Sequence, residues 1–196
     1  MNHNQGLLER SKLTFGSDDS ATRTRLRELI LYIADRSQDD PKFGATKLNK
    51  ILYFSDFVSF REYGQPITGA MYMRLENGPA PIHLVPVRNE MLESGEIAME
   101  PRQYYTYQQT VLKPLREPNL DLFTARDIAL VDAIIQELRE LDAKELTDLS
   151  HNRAWQIANN KEPIPYEAIL LSDASLTADD VAWAHGLAEQ CGLNAT

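Results

Sequence analysis

The sequence has one cysteine, Cys191, so no disulfide can form within the chain. A disulfide-stapled scaffold is excluded, and without a C-x-x-C pair so is a zinc ribbon. No run approaches the roughly 18–20 consecutive apolar residues of a membrane span. The opening residues, MNHNQGLLERSK, lack the apolar stretch of a secretory leader. A cytoplasmic location is therefore expected. Catalytic signatures are missing too: there is no G-x-G-x-x-G, no phosphate-loop lysine, no G-x-S-x-G and no H-E-x-x-H. The histidines His3, His83, His151 and His185 are too scattered to suggest a metal site. These absences argue against an enzyme of known motif class, and neither cofactor nor metal is expected.

Strongly basic segments are also lacking. The formal net charge is −9, and residues 117–180 hold 14 acidic against 5 basic residues, while the remainder is balanced at 15 of each. An acidic face repels free nucleic acid and attracts a basic protein partner, mainly by speeding its approach. A solvated surface kept for solubility is the simpler alternative.

What is present is ordinary globular composition, 43% hydrophobic and 25% charged over 196 residues. That is enough for one domain with its own core. Residues 1–18 show no periodic pattern and read as a mobile tail, residues 19–192 as a single domain, and residues 193–196 as its C-terminal end. A first helix is expected from Asp19 or Ser20, with Leu26, Leu29, Ile30 and Ile33 on one face. The most apolar helical run, residues 46–63, reads as the core element, capped by Thr46 and closed by Gly64. Leu48, Ile51, Leu52 and Val58 point inward on that spacing, and Asp56 falls on the flank.

Residues 67–76 read as a strand ending in the turn Asn77-Gly78-Pro79. A helix comes next from Pro86, then two strand-like runs, 97–99 and 104–112, separated by residues 100–103. The fold class is α+β: a predominantly helical domain with one small antiparallel sheet of about three strands. Thr124 opens a long helix as a capping box with Asp127. Beyond it lie a short helix at 143–150, a further turn carrying Trp155 and a proline-bounded loop at 161–165. Thr177 caps a final helix to Gln190.

Several residues stand out chemically. Asp56 reads either as a partner-facing or ligand-binding carboxylate, or as a residue that is partly exposed or paired with a lysine or a backbone amide. Asn77-Gly78-Pro79 reads as a recognition loop or a plain turn. His151 and Trp155, four apart, share one helical face, as a docking surface, a base-stacking platform or an aromatic pair buried under the C-terminal helix. Arg23, Arg25 and Arg27 alternate round the first helix, which suits a solvated surface better than a phosphate site.

The ordered succession KLNKILYFSD (Lys47 to Asp56), Tyr63-Gly64, Ile67-Thr68-Gly69, Tyr72, Gly78-Pro79 and Leu149-Ser150-His151 with Trp155 resembles the Panacea domain family, the SocA-type antitoxin domains. The likeness runs from about Leu26 to about Trp155. Ser55 stands where the family often has alanine, and Pro79-Ala80-Pro81 comes after the glycine. The resemblance implies a non-enzymatic antitoxin, often encoded near prophage genes, that neutralises a cognate toxin protein by binding it. One member type instead acts as an adaptor that hands its toxin to a protease. The partners implied are thus a toxin and, in the adaptor mode, a protease. A homodimer is admissible, and neither nucleic acid nor membrane is expected. Tyr53, Asp56, Tyr72 and Pro79 are the expected contact residues. The competing reading is a winged-helix-like DNA-binding transcriptional regulator, suggested by helices and then a hairpin, and opposed by the charge.

Overall fold

Asp19 accepts the backbone N–H of Thr22 at 2.7 Å and starts helix α1, Ser20–Arg36. The structure, a computed structural model, describes residues 13–104, 107–171, 182 and 186. Leu26, Leu29, Ile30 and Ile33 of α1 are buried as their spacing requires. Helix α2, Ala45–Tyr63, begins one residue earlier than expected: Gly44 takes the N-cap in extended conformation, and no side chain caps the end. Thr46 lies inside the first turn instead. Glycine serves here because an N-cap needs only non-helical backbone angles. Gly64, with φ 72°, ends α2 in the left-handed conformation.

The strand expected over residues 67–76 shrinks to β1, Tyr72–Met73. Residues 67–70 are committed elsewhere. The Thr68 N–H goes to Asp56, the Gly69 carbonyl accepts from Ser17 N–H at 2.8 Å, and Gly69 has φ 77°. Strand β1 pairs on one side with β2, Ala80–Pro81, and helix α3 is Leu84–Glu93. Pro86 sits in the first turn of α3, where its missing N–H costs nothing.

Strands β3, Ile97–Tyr104, and β4, Tyr107–Pro114, form a continuous hairpin, paired from Ile97↔Pro114 to Tyr104↔Tyr107. The break expected at residues 100–103 is absent, because Pro101 lies on an edge strand where a missing donor is tolerated.

A capping box between Thr124 and Asp127 starts α4, Ala125–Leu138, as the sequence predicts. A second box, Asp142 with Glu145, starts α5, Ala143–Ser150, and Asn152 caps the short α6, Arg153–Ile157. The loop expected at 161–165 contributes β5, Pro163–Ile164, which pairs with the other side of β1. The fold is α+β as expected, but the strands are shared out differently. β2, β1 and β5 make a three-stranded antiparallel sheet, and the hairpin is a separate two-stranded one.

Helix α2 is the hub. It touches α1, α4, α5, β2, β4 and the 3-10 turn Tyr166–Leu170. The unit so formed is residues 14–171. The other unit, Met1–Leu13 with Ser172–Thr196, lies almost wholly outside the described residues, as do the expected helix from Thr177 to Gln190, Cys191 and the end 193–196. The stretch expected as a tail, 1–18, is held where the structure describes it. Thr14 N–H donates to Glu167 at 2.9 Å, the Thr14 carbonyl accepts from Tyr166 N–H at 2.8 Å, and Ser17 bridges to Ala70.

Arg23, Arg25 and Arg27 do not form a free surface. Arg25 donates to the Ile67 carbonyl at 2.7 Å and to the Leu122 carbonyl, Arg23 pairs with Asp18 and Glu90, and Arg27 pairs with Glu90 and Glu96. Arg116 joins the same network from the far side, bridging Glu28 at 2.6 Å and Glu96. Alternate spacing spreads the three arginines round α1, and each reaches a different neighbour.

This network makes stability depend on acid. Burial alone would raise the Glu96 carboxyl, but hydrogen bonds from Arg27, Ser94 and Arg116 outweigh it and hold it at about 2. A depressed carboxyl contributes stability that is present above its unfolded value, near 4.5, and is lost as pH falls through about 2. Unfolding by urea from pH 6 to pH 2 is expected to show this loss, and Glu96→Gln is expected to flatten it. A variant as acid-sensitive as the wild type would remove Glu96 from the cause.

Candidate functional site

The KLNKILYFSD block lies along α2, and its charged members Lys47, Lys50 and Asp56 are buried. Asp56 is 0% exposed. Its Oδ1 accepts the Thr68 backbone N–H at 2.6 Å, and its Oδ2 accepts the Thr68 hydroxyl and the Tyr72 hydroxyl, the latter at 2.9 Å. Burial pushes this carboxyl up, against the three donors, which favour the anion. Burial and the Asp56 charge together push the Tyr72 phenol well above its usual range. Of the readings the sequence allowed, partial exposure and a lysine partner are not found; Asp56 is buried and satisfied by a backbone amide, as expected, and by two hydroxyls.

Tyr53 and Tyr72 sit in an aromatic cluster with Phe57 and Tyr166. Tyr53 and Phe57 centroids lie 4.4 Å apart, Phe57 and Tyr166 4.8 Å, and Phe57 and Tyr72 5.4 Å. Tyr53 keeps its hydroxyl on Asn152, and burial raises it to about 12. Pro79 is buried as well. The structure therefore places Tyr53, Asp56, Tyr72 and Pro79 in the interior, and brings the first three together. As the domain stands, none of the four presents a surface to a partner. Helical periodicity missed this because α2 is covered on nearly every side, so no flank is left for Asp56.

About one and a half turns towards the N-terminus of α2 a second polar anchor occurs. Lys50 is 1% exposed, and its ammonium donates to the Asn77 carbonyl. Desolvation lowers it to about 8. The Asn77-Gly78-Pro79 segment is thus a turn closed by a buried cation. Gly78 has φ 97°, and a Cβ there would overlap Lys50 Nζ and Ser150 Oγ. Nothing in the sequence marked Lys50 as interior except its place in an apolar helix. Lys47, one turn earlier, is also buried, paired with Asp40 at 2.7 Å and donating to the Arg139 carbonyl at 2.7 Å.

The outer wall of this turn is aromatic. His151 stacks on Trp155 at 3.8 Å and 12°, and the Arg74 guanidinium lies 4.0 Å from the Trp155 ring. Trp155 Nε1–H donates to the Leu75 carbonyl at 2.8 Å. The stack expected from sequence occurs and is half-buried, but not on one helical face: His151 ends α5, Asn152 is extended, and Trp155 lies in α6. Beside it opens a cleft of about 410 Å³ reached by Thr46, Asn49, Lys50, Glu76 and Lys161. Burial, then the Lys50 charge, lowers the His151 imidazole. His83 Nε2 lies 3.2 Å from the Asp18 carboxylate and does not line this cleft. His3, His185 and Cys191 lie outside the described residues.

Among the described residues, no group of three or more His, Cys, Asp or Glu could hold a metal, and no helix is long and apolar enough to cross a membrane. Glu137 and Glu140 at the end of α4, Asp142 at the N-cap of α5, and Glu145 and Asp148 within α5 all face solvent. A helix-then-hairpin order does occur in α3–β3–β4. Yet α3 carries Glu90 and Glu93 beside its Arg88, and α2 is buried, so neither offers a basic recognition helix.

A protein-family model described as "Antitoxin SocA-like, Panacea domain" matches residues 48–156. That segment takes in nearly all of α2, the β1–β2 turn, the hairpin, both acidic helices and the His151–Trp155 pair. Neither a curated protein nor a solved structure matches the chain.

The turn at Gly78 gives a direct test of this geometry. Gly78→Ala must strain the backbone and displace Lys50, which sets the cost at about 1–3 kcal/mol. Urea denaturation is expected to show a lower midpoint with an unchanged slope. An unchanged midpoint would mean that the turn is not held as described.

Proposed function

The chain belongs to the antitoxin SocA-like family through its Panacea domain, residues 48–156, and on that premise we propose that it neutralises a cognate toxin protein by binding it directly. The observation that carries the reading is the family match over more than half the chain. The chemistry agrees with it. Among the titratable groups drawn into the interior, Asp56, Lys50 and Lys47 are each used up in holding the fold.

The acidic face of α4 and α5 suits a toxin whose own surface is basic, as surfaces that handle RNA are. Occlusion of the toxin needs only one such contact, whereas handing it to a protease needs a second. Occlusion is therefore the mechanism put forward, with a non-catalytic role for this chain.

The test is co-expression with the adjacent reading frame. Its product is expected to stop growth alone, to be harmless with this chain present, and to elute with it as one complex in gel filtration. Under occlusion the toxin's level stays constant; under protease delivery it falls. An adjacent product that is not toxic, or that stays toxic and forms no complex, contradicts the proposal.

A further inference from the structure

The buried polar atoms without a hydrogen-bond partner among the described residues include His151 Nε2. Trp155 of α6 stacks on this imidazole at 3.8 Å, and the Arg74 guanidinium, just after β1, lies 4.0 Å from the same indole. Two groups this close to one ring cannot share a face without overlap, so Trp155 is clamped between imidazole and guanidinium. Lys50 of α2 brings a second cation, since its Nζ and Ser150 Oγ both lie against Gly78, and His151 directly follows Ser150. Two groups favour a proton on the ring, the Asp148 carboxylate of α5 and the Glu76 backbone carbonyl of the turn. Burial and the Lys50 charge, with Arg74 behind them, outweigh these two and hold the imidazole neutral. An indole alone attracts an imidazolium, but here its far face already carries Arg74.

A proton on His151 therefore places a third positive charge in this corner. Because the ring is only half-buried, a rotation outward takes it to water without unfolding the domain. We propose that the His151–Trp155 stack is a pH-sensitive latch: on taking up a proton, His151 swings off Trp155, uncovers one face of the indole and reshapes the surface at the Leu75–Gly78 turn. That surface holds two clefts, of about 410 and 290 Å³, which share Leu75, Glu76 and Asn160, and Trp155 lines the smaller. The neutral imidazole is preferred in the folded protein, so the closed latch is fully favoured above the ordinary histidine value of 6.5 and is lost as pH falls below it. Glu96 contributes its acid dependence only below its ordinary value of 4.5, so the two effects separate on the pH scale. The latch is independent of which partner the domain binds.

The experiment uses the full chain with Trp183→Phe, which leaves Trp155 as its one tryptophan. Acrylamide quenching of Trp155 fluorescence is expected to rise about two-fold or more between about pH 7.5 and about pH 5, while the helical circular dichroism stays constant. The His151 ring protons, followed by NMR, are expected to titrate with the same midpoint, below 6.5. His151→Phe stacks without titrating and is expected to give flat quenching over the whole range. Asp148→Asn, an exposed change that withdraws the carboxylate favouring the proton, is expected to move the midpoint to lower pH. Flat quenching in the parent chain, a rise that survives His151→Phe, or a midpoint unmoved by Asp148→Asn would each overturn the latch. A loss of helical signal in step with the quenching would show general unfolding and overturn it as well.

Discussion

A carboxylate with no access to water constrains everything around it. Asp56 cannot stay buried unless donors come to it, and all three come from the segment just after α2: the Thr68 N–H, the Thr68 hydroxyl and the Tyr72 hydroxyl. To deliver them the chain must turn back at once. Gly64 allows that with a left-handed cap, the Ser59 hydroxyl holds the Gln65 carbonyl at 2.7 Å, and Gly69 bends the chain again before Tyr72. Tyr72 then enters β1, so the carboxylate fixes the register of the three-stranded sheet through its central strand. The same placement seats Tyr72 against Phe57 and brings Tyr166 over both. Buried polar groups of this kind add little net stability compared with apolar packing, but they penalise every other arrangement.

Lys50 does for the second half of the fold what Asp56 does for the first. Its ammonium closes the Asn77-Gly78 turn, and that turn packs against Ser150. From there Trp155 bonds the Leu75 carbonyl and carries the Arg74 guanidinium on its face. Helix α2 therefore acts as a rod with polar anchors at Lys47, Lys50 and Asp56, each gripping a segment outside the helix. The KLNKILYFSD block is, on this account, a set of instructions for building the interior. The surface left over is free to be shaped by the partner it meets.

Much of this was legible in the sequence because it is local. The Thr124–Asp127 box, the stripe of α4, the glycine stop of α2 and the His151–Trp155 pair all depend on residues within four positions of one another. What was not legible depends on contacts far along the chain. The Asp56 environment needs Thr68 and Tyr72, and the length of β1 depends on how residues 67–70 are used. Likewise β5 pairs with β1 across about 90 residues, and each arginine of α1 finds its partner through tertiary folding. Thr46 misled because its residue type caps helices well, while Gly44 held the required backbone angles. The interior placement of Tyr53, Asp56, Tyr72 and Pro79 was hidden for a related cause: periodicity marks one buried face, and α2 has almost no exposed one.

The central claim is that the signature residues hold the frame and that the toxin is met elsewhere. Asp56→Asn separates the two roles. It keeps the shape but pairs the three donors imperfectly, and it is expected to lower the urea-derived stability by about 1–3 kcal/mol. At a temperature where the variant is fully folded, its affinity for the toxin is expected to stay within about two-fold of the wild type. A variant as stable as the wild type that binds ten-fold more weakly would place Asp56 at the contact and contradict the account.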